Sequence, residues 1–508
     1  MREIKEKYFM PIVWSTLILS AVIVITLCSK CSPLYPLNDW DDPNCFLTVG
    51  RSVCHGKVLY RDIFEQKGPI LYFLHSLACL ISERSFIGIY FAELIAAVIF
   101  LFYSFKTAEL FIGKKAVWVI PLTACTVYGS YSFQGGDSAE ELLLPFAAFT
   151  LYTALYTAKE RKMIPPLTSV LTGISIGIAL WIKFTLLGVF MGFVLAFVIL
   201  YIKKRKIKDI FLTALLMTTG LLLCSAPVII YFICSDSLGY LYEVYIYDNL
   251  FLYGTGGGIP VIGAVMNLLA GAFVLLMNHP LCFVFTVLGL IYIIRTADRR
   301  TKLIYLIIFA VTFFFTYTGG RFYAYYALIL SIFIPVGAAA LIKHCHGSGE
   351  SDNKKTGIIR IVTNTAYIAA LIVGIVFCPN FSRLGKSADE YPQFRFDKYI
   401  SQKENASLLN YGFLDGGFYT VSGIVPDCRF FCTLNIPYDE MYDVQNEYIA
   451  RGLADFIVTK DSRPVFPGYK CIDECEFPYG TGISKYCLYI NVQCTMNCNS
   501  GSFGRFSL

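Results

Sequence analysis

Charge is scarce in this 508-residue chain: Asp, Glu, Lys and Arg together make up 15%, against 56% hydrophobic and 16% aromatic residues. With a mean hydropathy of +0.60, that shortage excludes a soluble enzyme and points to a polytopic α-helical membrane protein. Histidine is nearly absent too, with five in all and none after His346. The Cys428/Cys432 and Cys471/Cys475 spacings therefore find no imidazole partner in the tail, which argues against a zinc site there. There is no internal repeat and no low-complexity segment, and the net charge of +6 is small for the length. Nothing in that balance implies nucleic acid as a partner, and the missing repeat weighs against a transporter built from symmetric halves.

What the chain does have is long apolar runs. Eleven read as spans, near 9–28, 86–105, 116–133, 140–158, 164–182, 184–202, 209–234, 280–294, 302–318, 323–343 and 357–378. The loops between them sort by charge. Lys106/Lys114/Lys115, Lys159/Arg161/Lys162, Lys203 to Lys208, Arg295/Arg299/Arg300/Lys302 and Lys343/Lys354/Lys355 alternate with acidic loops. By the positive-inside rule the basic set and the Arg2/Lys5/Lys7 head are cytoplasmic, and the acidic loops face outward. An odd number of spans then leaves the tail outside a cell membrane. Residues 69–82 are too short to cross and read as a re-entrant or interfacial helix in the first outer loop, 29–85. Ile259 to Met277 reads as a surface helix or the first half of a bent span, and the charge alternation favours the surface helix.

These spans define a transmembrane domain over 1–378. From Pro379 to Leu508 the composition turns polar, with alternating stretches such as Gly417–Gly423 and Asp455–Thr459, and a small extracytoplasmic α/β domain is expected. The Gly347 to Lys355 loop is the expected linker. Of the 18 cysteines, those in apolar spans behave as small hydrophobic residues, whereas the tail cysteines lie where some can pair.

Polar groups gather in three outward loops. The first carries Asp39, Asp41, Asp42, Arg61, Asp62, Glu65 and Lys67, the second Asp137, Glu140 and Glu141, and a later turn Gly319-Gly320-Arg321 with Tyr323, Tyr325 and Tyr326. Lys183 sits alone at the outer junction of two spans; by itself it reads equally as a snorkelling interface lysine. Carboxylates beside cations at a membrane surface suit a reaction in which a base takes a hydroxyl proton while cations hold a lipid phosphate.

The pattern Asp42-x-x-x-Phe46-x-x-x-Gly50, Gly56-x-x-x-Tyr60-Arg61-Asp62, Lys67-Gly68-Pro69 resembles the first outer loop of GT-C fold, polyprenyl-phosphate-dependent glycosyltransferases, the superfamily of protein mannosyltransferases and the lipid A aminoarabinose transferase. Gly135 to Pro145 is similar to the second-loop pattern of an acid before Leu-Pro, Gly173 to Lys183 to the Gly-rich span ending in Lys, and Gly320 to Tyr326 to the late motif. The tail from Tyr411 to Phe430 is similar to the outer domain. One departure is Tyr325, where many relatives place His.

The resemblance implies a membrane glycosyltransferase that moves a sugar from a polyprenyl-phosphate donor to an acceptor glycan, lipid or protein, with inversion. The rival reading is a transporter or flippase of lipid-linked saccharides. The resemblance casts Asp42 and Glu140 as the catalytic pair. The substrate-binding residues it implies are Asp39, Asp41, Tyr60, Arg61, Asp62, Lys67, Glu141, Lys183, Arg321, Tyr325 and Tyr326. Among these, Lys67, Lys183 and Arg321 would neutralise the departing phosphate. No organic cofactor is implied, and a divalent metal at Asp42 and Glu140 is compatible with the superfamily, some members of which use one.

Overall fold

The computed structural model describes residues 6–203, 206–252, 261–345, 354–480 and 482–492. Most of the expected linker, and Cys494 and Cys498, lie outside the described residues. The chain divides into two compact units, one of Met1–Leu34, Ile89–Tyr231 and Gly257–Leu384, the other of Tyr35–Gly88, Phe232–Gly256 and Gly385–Leu508.

The first unit is a helical bundle. Its helices are α1 (Glu6–Cys28), most of α4 (Ile87–Ile112), α5 (Val119–Tyr128), α6 (Ala139–Lys159), α7 (Pro166–Lys183), α8 (Gly188–Lys203) and α9 (Ile207–Cys234). After these come α11 (Val261–Asn278), α12 (Pro280–Thr296), α13 (Arg299–Tyr317), the 3₁₀ stretch Ala324–Phe333 running into α14 (Ile334–Cys345), and α15 (Lys354–Val376). Nine segments of the described residues are long and apolar enough to cross a membrane. Two of them, Ile87–Tyr128 at 42 residues and Pro166–Ile202 at 37, are each two spans joined by a tight turn. With the shorter Pro280–Thr296, the expected spans are accounted for and α11 is left over.

Where α11 lies follows from its contacts. Asn267 Nδ2 donates to the Thr318 carbonyl at 2.9 Å, Gly271 lies against the Tyr317 ring, and His279, just past the helix, meets the Thr126 carbonyl at 3.1 Å. Tyr317 and Thr318 end α13, and Thr126 is near the end of α5. The turn after α5 (Tyr131–Phe133) packs on the stretch after α13, so both contacts fall at one end of the bundle. α11 therefore runs across that end rather than through the bundle, although its apolar composition alone is equally that of a span.

Capping and small residues shape the bundle. Ser138 Oγ accepts from the Glu141 amide at 3.0 Å, and the acids of that first turn complement the helix dipole. α7 and α9 approach closely through reciprocal glycines: a Cβ on Gly173 would sit 2.0 Å from the Met217 carbonyl, and one on Gly220 would sit 2.0 Å from that of Val170. Gly173→Val should push the two helices apart at a cost of roughly 1–3 kcal/mol. Recovery of monodisperse protein after graded heating measures this, and an unchanged melting profile would refute the close-packing account.

The second unit combines Tyr35–Gly88, Phe232–Gly256 and the tail from Gly385. It contains α2 (Asp41–Cys54), α3 (Pro69–Cys79) and α10 (Leu238–Tyr240), which continues as a π-wound stretch to Leu252. The tail adds α16 (Pro392–Ile400), β1 (Leu408–Tyr411), α17 (Phe418–Ser422), α18 (Glu440–Ala450), β2 (Phe456–Lys460), β3 (Tyr469–Tyr479) and β4 (Gly482–Asn491). The strands order as β1-β2-β4-β3, with β1 and β2 parallel and the other pairings antiparallel. A bulge interrupts β3 between Cys471 and Asp473.

This division differs from the boundary at residue 378 drawn from hydropathy. The reason is α2, which is amphipathic, packs along α3 and is also tied to the tail: Thr48 Oγ1 donates to Asp415 at 2.6 Å, and Thr420 Oγ1 donates to the Asn44 side chain at 2.7 Å. The fully buried Arg51 donates to the carbonyls of Glu83 and Ile424. The eleven residues of α3 reach only about 16 Å at 1.5 Å per residue. They pack along α2, with Gly50 directly against His75 and Ser76 Oγ donating to the Gly50 carbonyl at 2.8 Å.

Candidate active site

The polar residues anticipated in the loops fall into one group on each unit. In the bundle, Lys183 closes α7 and is only 11% exposed; its Nζ meets Glu140 Oε1 at 2.6 Å, and Glu140 is 1% exposed. The same ammonium lies over the Tyr326 ring at 4.0 Å and the Tyr325 ring at 5.1 Å. A carboxylate on one side and two aromatic faces on the other hold the charge in place. Lys183 is thus built into the protein, which removes the snorkelling reading. Tyr325, standing where relatives carry His, is a cation–π partner here. Arg321 is half-buried just after Gly320, whose φ of +70° permits the sharp turn.

Glu141 points elsewhere. Its Oε2 accepts from the Asp137 amide at 2.8 Å, and the same amide donates to Glu93 Oε1 at 2.8 Å. Glu93 Oε2 accepts from Ser29 Oγ at 2.7 Å. The three carboxylates, all about 1% exposed or less, organise the turn before α6, where Asp137 takes a left-handed φ of 62°. Glu93 was not singled out from the sequence. The available signal was a lone acid inside a long apolar run.

In the second unit the first turn of α2 carries the acids. Asp39 and Asp41 are buried, while Asp42 is half-exposed. Tyr479, at the end of β3, donates its hydroxyl to Asp41 Oδ2 at 2.5 Å, and Lys460 lies over the Tyr479 ring at 3.3 Å. Burial pushes the Asp41 carboxyl up to about 6, against the opposing pull of Lys460 and of the Tyr479 bond. The folded chain therefore holds this proton more tightly than the unfolded chain does. Stability from Asp41 is full below the ordinary value of 3.8 and is lost as pH rises to about 6. That amounts to something on the order of 3 kcal/mol. Removing the tyrosine hydroxyl takes away a bond that favours the charged form, so Tyr479→Phe should move this acid-side transition to higher pH. Thermal unfolding followed from pH 4 to pH 8 tests it; identical pH profiles for the two proteins would refute the coupling.

Lys67 lies near Glu65 at 3.7 Å and over the Phe46 ring at 5.8 Å, and the buried Glu65 carboxyl is raised by desolvation. The backbone amide of Lys67 donates to Glu65 and to the Tyr72 hydroxyl. Three further residues expected to bind substrate lie in the same unit. Tyr60 is fully buried with a φ of 67°, stacks on Phe232 at 5.6 Å and donates to the Lys67 carbonyl at 2.5 Å. Arg61 and Asp62 pair with each other at 2.8 Å, and Asp62 also accepts from the Val58 amide. Both side chains stay partly exposed, Arg61 at 39% and Asp62 at 33%.

The residues do not favour a metal at Glu140, whose carboxylate is already held by an ammonium. In the tail, Cys471, Glu474 and Cys487 bring their ligand atoms within 4.8 Å of one another. Glu474 there is already paired with Lys485 at 2.5 Å and Arg463 at 3.0 Å, so a cation would meet two competitors.

Residues 66–231 match the family described as dolichyl-phosphate-mannose-protein mannosyltransferase. That range includes Lys67, Glu140 and Lys183. In fold, the chain is similar to the crystal structure of ArnT from Cupriavidus metallidurans bound to undecaprenyl phosphate. The match covers 94% of this chain and 98% of that one, with a TM-score of 0.60 and 12% identity. The chain has the GT-C fold. The apo state of the same ArnT aligns over 88% of this GT-C chain and 92% of its own, with a TM-score of 0.55 and 12% identity. No curated protein matches the sequence. The fold is that of a multi-pass membrane protein with a small sheet domain in its tail, as composition and patterning implied.

Proposed function

We propose that this chain is an integral membrane glycosyltransferase that takes a monosaccharide from a polyprenyl-phosphate donor and passes it to an acceptor hydroxyl outside the cytoplasm. The observation that carries the reading is the Lys183 ammonium, buried in the bundle and held by Glu140, Tyr325 and Tyr326. A cation fixed there by the protein suits a lipid phosphate arriving from the bilayer, since charge-assisted contacts are the strong ones. The family match over Lys67, Glu140 and Lys183 and the likeness to a protein solved with undecaprenyl phosphate support the same donor class.

In this mechanism Asp42 accepts the proton from the acceptor hydroxyl, or orients it, as the oxygen attacks the anomeric carbon. The bond to the lipid phosphate breaks in the same displacement, with inversion, and the phosphate departs with its charge met by Lys183, Arg321 and Lys67. Glu140 contributes by setting Lys183. The donor carries its own leaving group, so no organic cofactor is needed. The N-terminus is cytoplasmic and the tail domain extracytoplasmic in this reading.

Purified protein with radiolabelled polyprenyl-phosphate sugars and a panel of glycan, lipid and protein acceptors tests it. Transfer of label to one acceptor class is expected. If every donor keeps its sugar while reconstituted vesicles show the labelled lipid crossing the bilayer, the transporter reading replaces this one.

A further inference from the structure

Asp42 and Phe46, four residues apart on α2, share one face of that helix, and the Lys67 ammonium lies over the Phe46 ring at 5.8 Å. Base and cation therefore stand on one side of α2. Lys67 itself belongs to a turn just ahead of α3, with no regular ladder of backbone bonds to hold it. Side chains hold it instead. The Lys67 amide donates to Glu65 Oε2 and to the Tyr72 hydroxyl, each at 2.9 Å, and its carbonyl accepts from the Tyr60 hydroxyl at 2.5 Å. The carbonyl just before it, that of Gln66, accepts from Asn249 Nδ2 at 2.7 Å. The peptide group joining Gln66 to Lys67 is thus held at both its oxygen and its N–H.

Asn249 comes from far along the chain, in the π-wound stretch Leu241–Leu252. Such winding is rare and is frequent at functional sites. The same Nδ2 also donates to the carbonyls of Tyr245 at 3.0 Å and Val244 at 3.3 Å, four and five residues earlier. These local bonds set the side chain's rotamer, so the bond to Gln66 costs little further freedom. The segment meets the turn at two more points: Phe232 stacks on Tyr60 at 5.6 Å, and the Ser235 carbonyl accepts from Arg61 Nη1 at 3.1 Å. On the other flank, Arg429 Nε donates to the Tyr60 carbonyl at 3.2 Å, and the Arg429 carbonyl accepts from the Phe64 amide at 3.0 Å. Among these contacts, that of Asn249 falls on the peptide group next to the lysine.

We propose that Asn249 is a positioning residue for Lys67. By fixing the plane of the Gln66–Lys67 peptide it sets where the ammonium stands on the Asp42 face of α2, and so how the donor phosphate is met. The proposal rests on the glycosyltransferase reading above, in which Lys67 neutralises the departing phosphate. Without the amide, the peptide is pinned only at its N–H and can turn about that point.

The test compares wild-type full chain, purified in detergent, with Asn249→Ala and with Asn249→Asp, which keeps the shape but loses both N–H donors. Amide hydrogen exchange in the peptide covering Gln66 and Lys67 should quicken in both variants while the peptides of the tail sheet keep their rates, a readout that needs no turnover. Donor kcat/KM should fall roughly 10- to 100-fold, the scale of a small misplacement, with acceptor KM unchanged. A double-mutant cycle decides whether the effect passes through the lysine: once Lys67→Ala is in place, Asn249→Ala should cost no further donor kcat/KM. Unchanged exchange in both variants overturns the proposal. Full donor use in Lys67→Ala, or losses that multiply in the double variant, overturns it as well, because Asn249 then acts on something other than Lys67. A wild type that moves no sugar, with exchange still quickened in the variants, overturns the glycosyltransferase reading and leaves the grip on the peptide standing.

Discussion

Asp42→Asn is expected to lower sugar transfer by a factor on the order of 10² or more, the usual contribution of a positioned general base, with little change in melting temperature. The motive is the contrast within one helical turn. Asp39 and Asp41 are buried, and Asp41 is tied to Tyr479; Asp42 alone of the three is half-exposed. A base must reach its proton, and a buried carboxylate already bonded to a tyrosine hydroxyl is poorly placed to do so. Replacing the carboxylate by an amide keeps shape and removes basicity, so lost turnover in a protein that still melts normally isolates the chemistry. The decisive comparison is Asp41→Asn. It should alter pH dependence and stability more than turnover near neutral pH. An active Asp42→Asn beside a dead Asp41→Asn would reverse the assignment.

The second large effect is expected at Lys183. Removing one partner of a buried ion pair leaves the other charge stranded, at roughly 3–5 kcal/mol, and here it also deletes the cation proposed to meet the donor phosphate. Lys183→Ala should therefore reduce kcat/KM for the donor by about 10²-fold or more, with the acceptor KM nearly unchanged. A structural role and a binding role predict different rescue. In Glu140→Gln/Lys183→Met both charges are gone, so thermal stability should return while donor use stays low. If donor use returns with stability, Lys183 only holds the bundle together. Arg321→Ala should act on the donor in the same direction, with Arg321→Lys restoring part, because the lysine keeps the charge but not the guanidinium fork.

Hydropathy and charge alternation were sufficient for the membrane class, nearly all the spans and the polar tail, because lipid leaves a backbone few options and loop charge follows sidedness. The motif spacing likewise brought Asp42, Glu140, Lys183 and the Tyr325/Tyr326 pair to notice. Other features depended on contacts that no local pattern encodes. α11 has the composition of a span; charge alternation favoured a surface helix, and the contacts of Asn267, Gly271 and His279 fix its place at the bundle end. Tyr60, Arg61 and Asp62 are consecutive in one motif, yet Tyr60 is fully buried while Arg61 and Asp62 pair with each other at a partly exposed position. Spacing to Phe46 singled out Asp42, but that Asp41 is tied to Tyr479, more than four hundred residues away, was visible only in the fold. Lys183 could as well have been an interface anchor until Glu140 and two rings closed around it. Composition and periodicity thus determined which segments meet lipid and which meet water. Which carboxylate is exposed and which cation is held was decided by the tertiary structure, because those properties depend on neighbours brought in from distant parts of the chain.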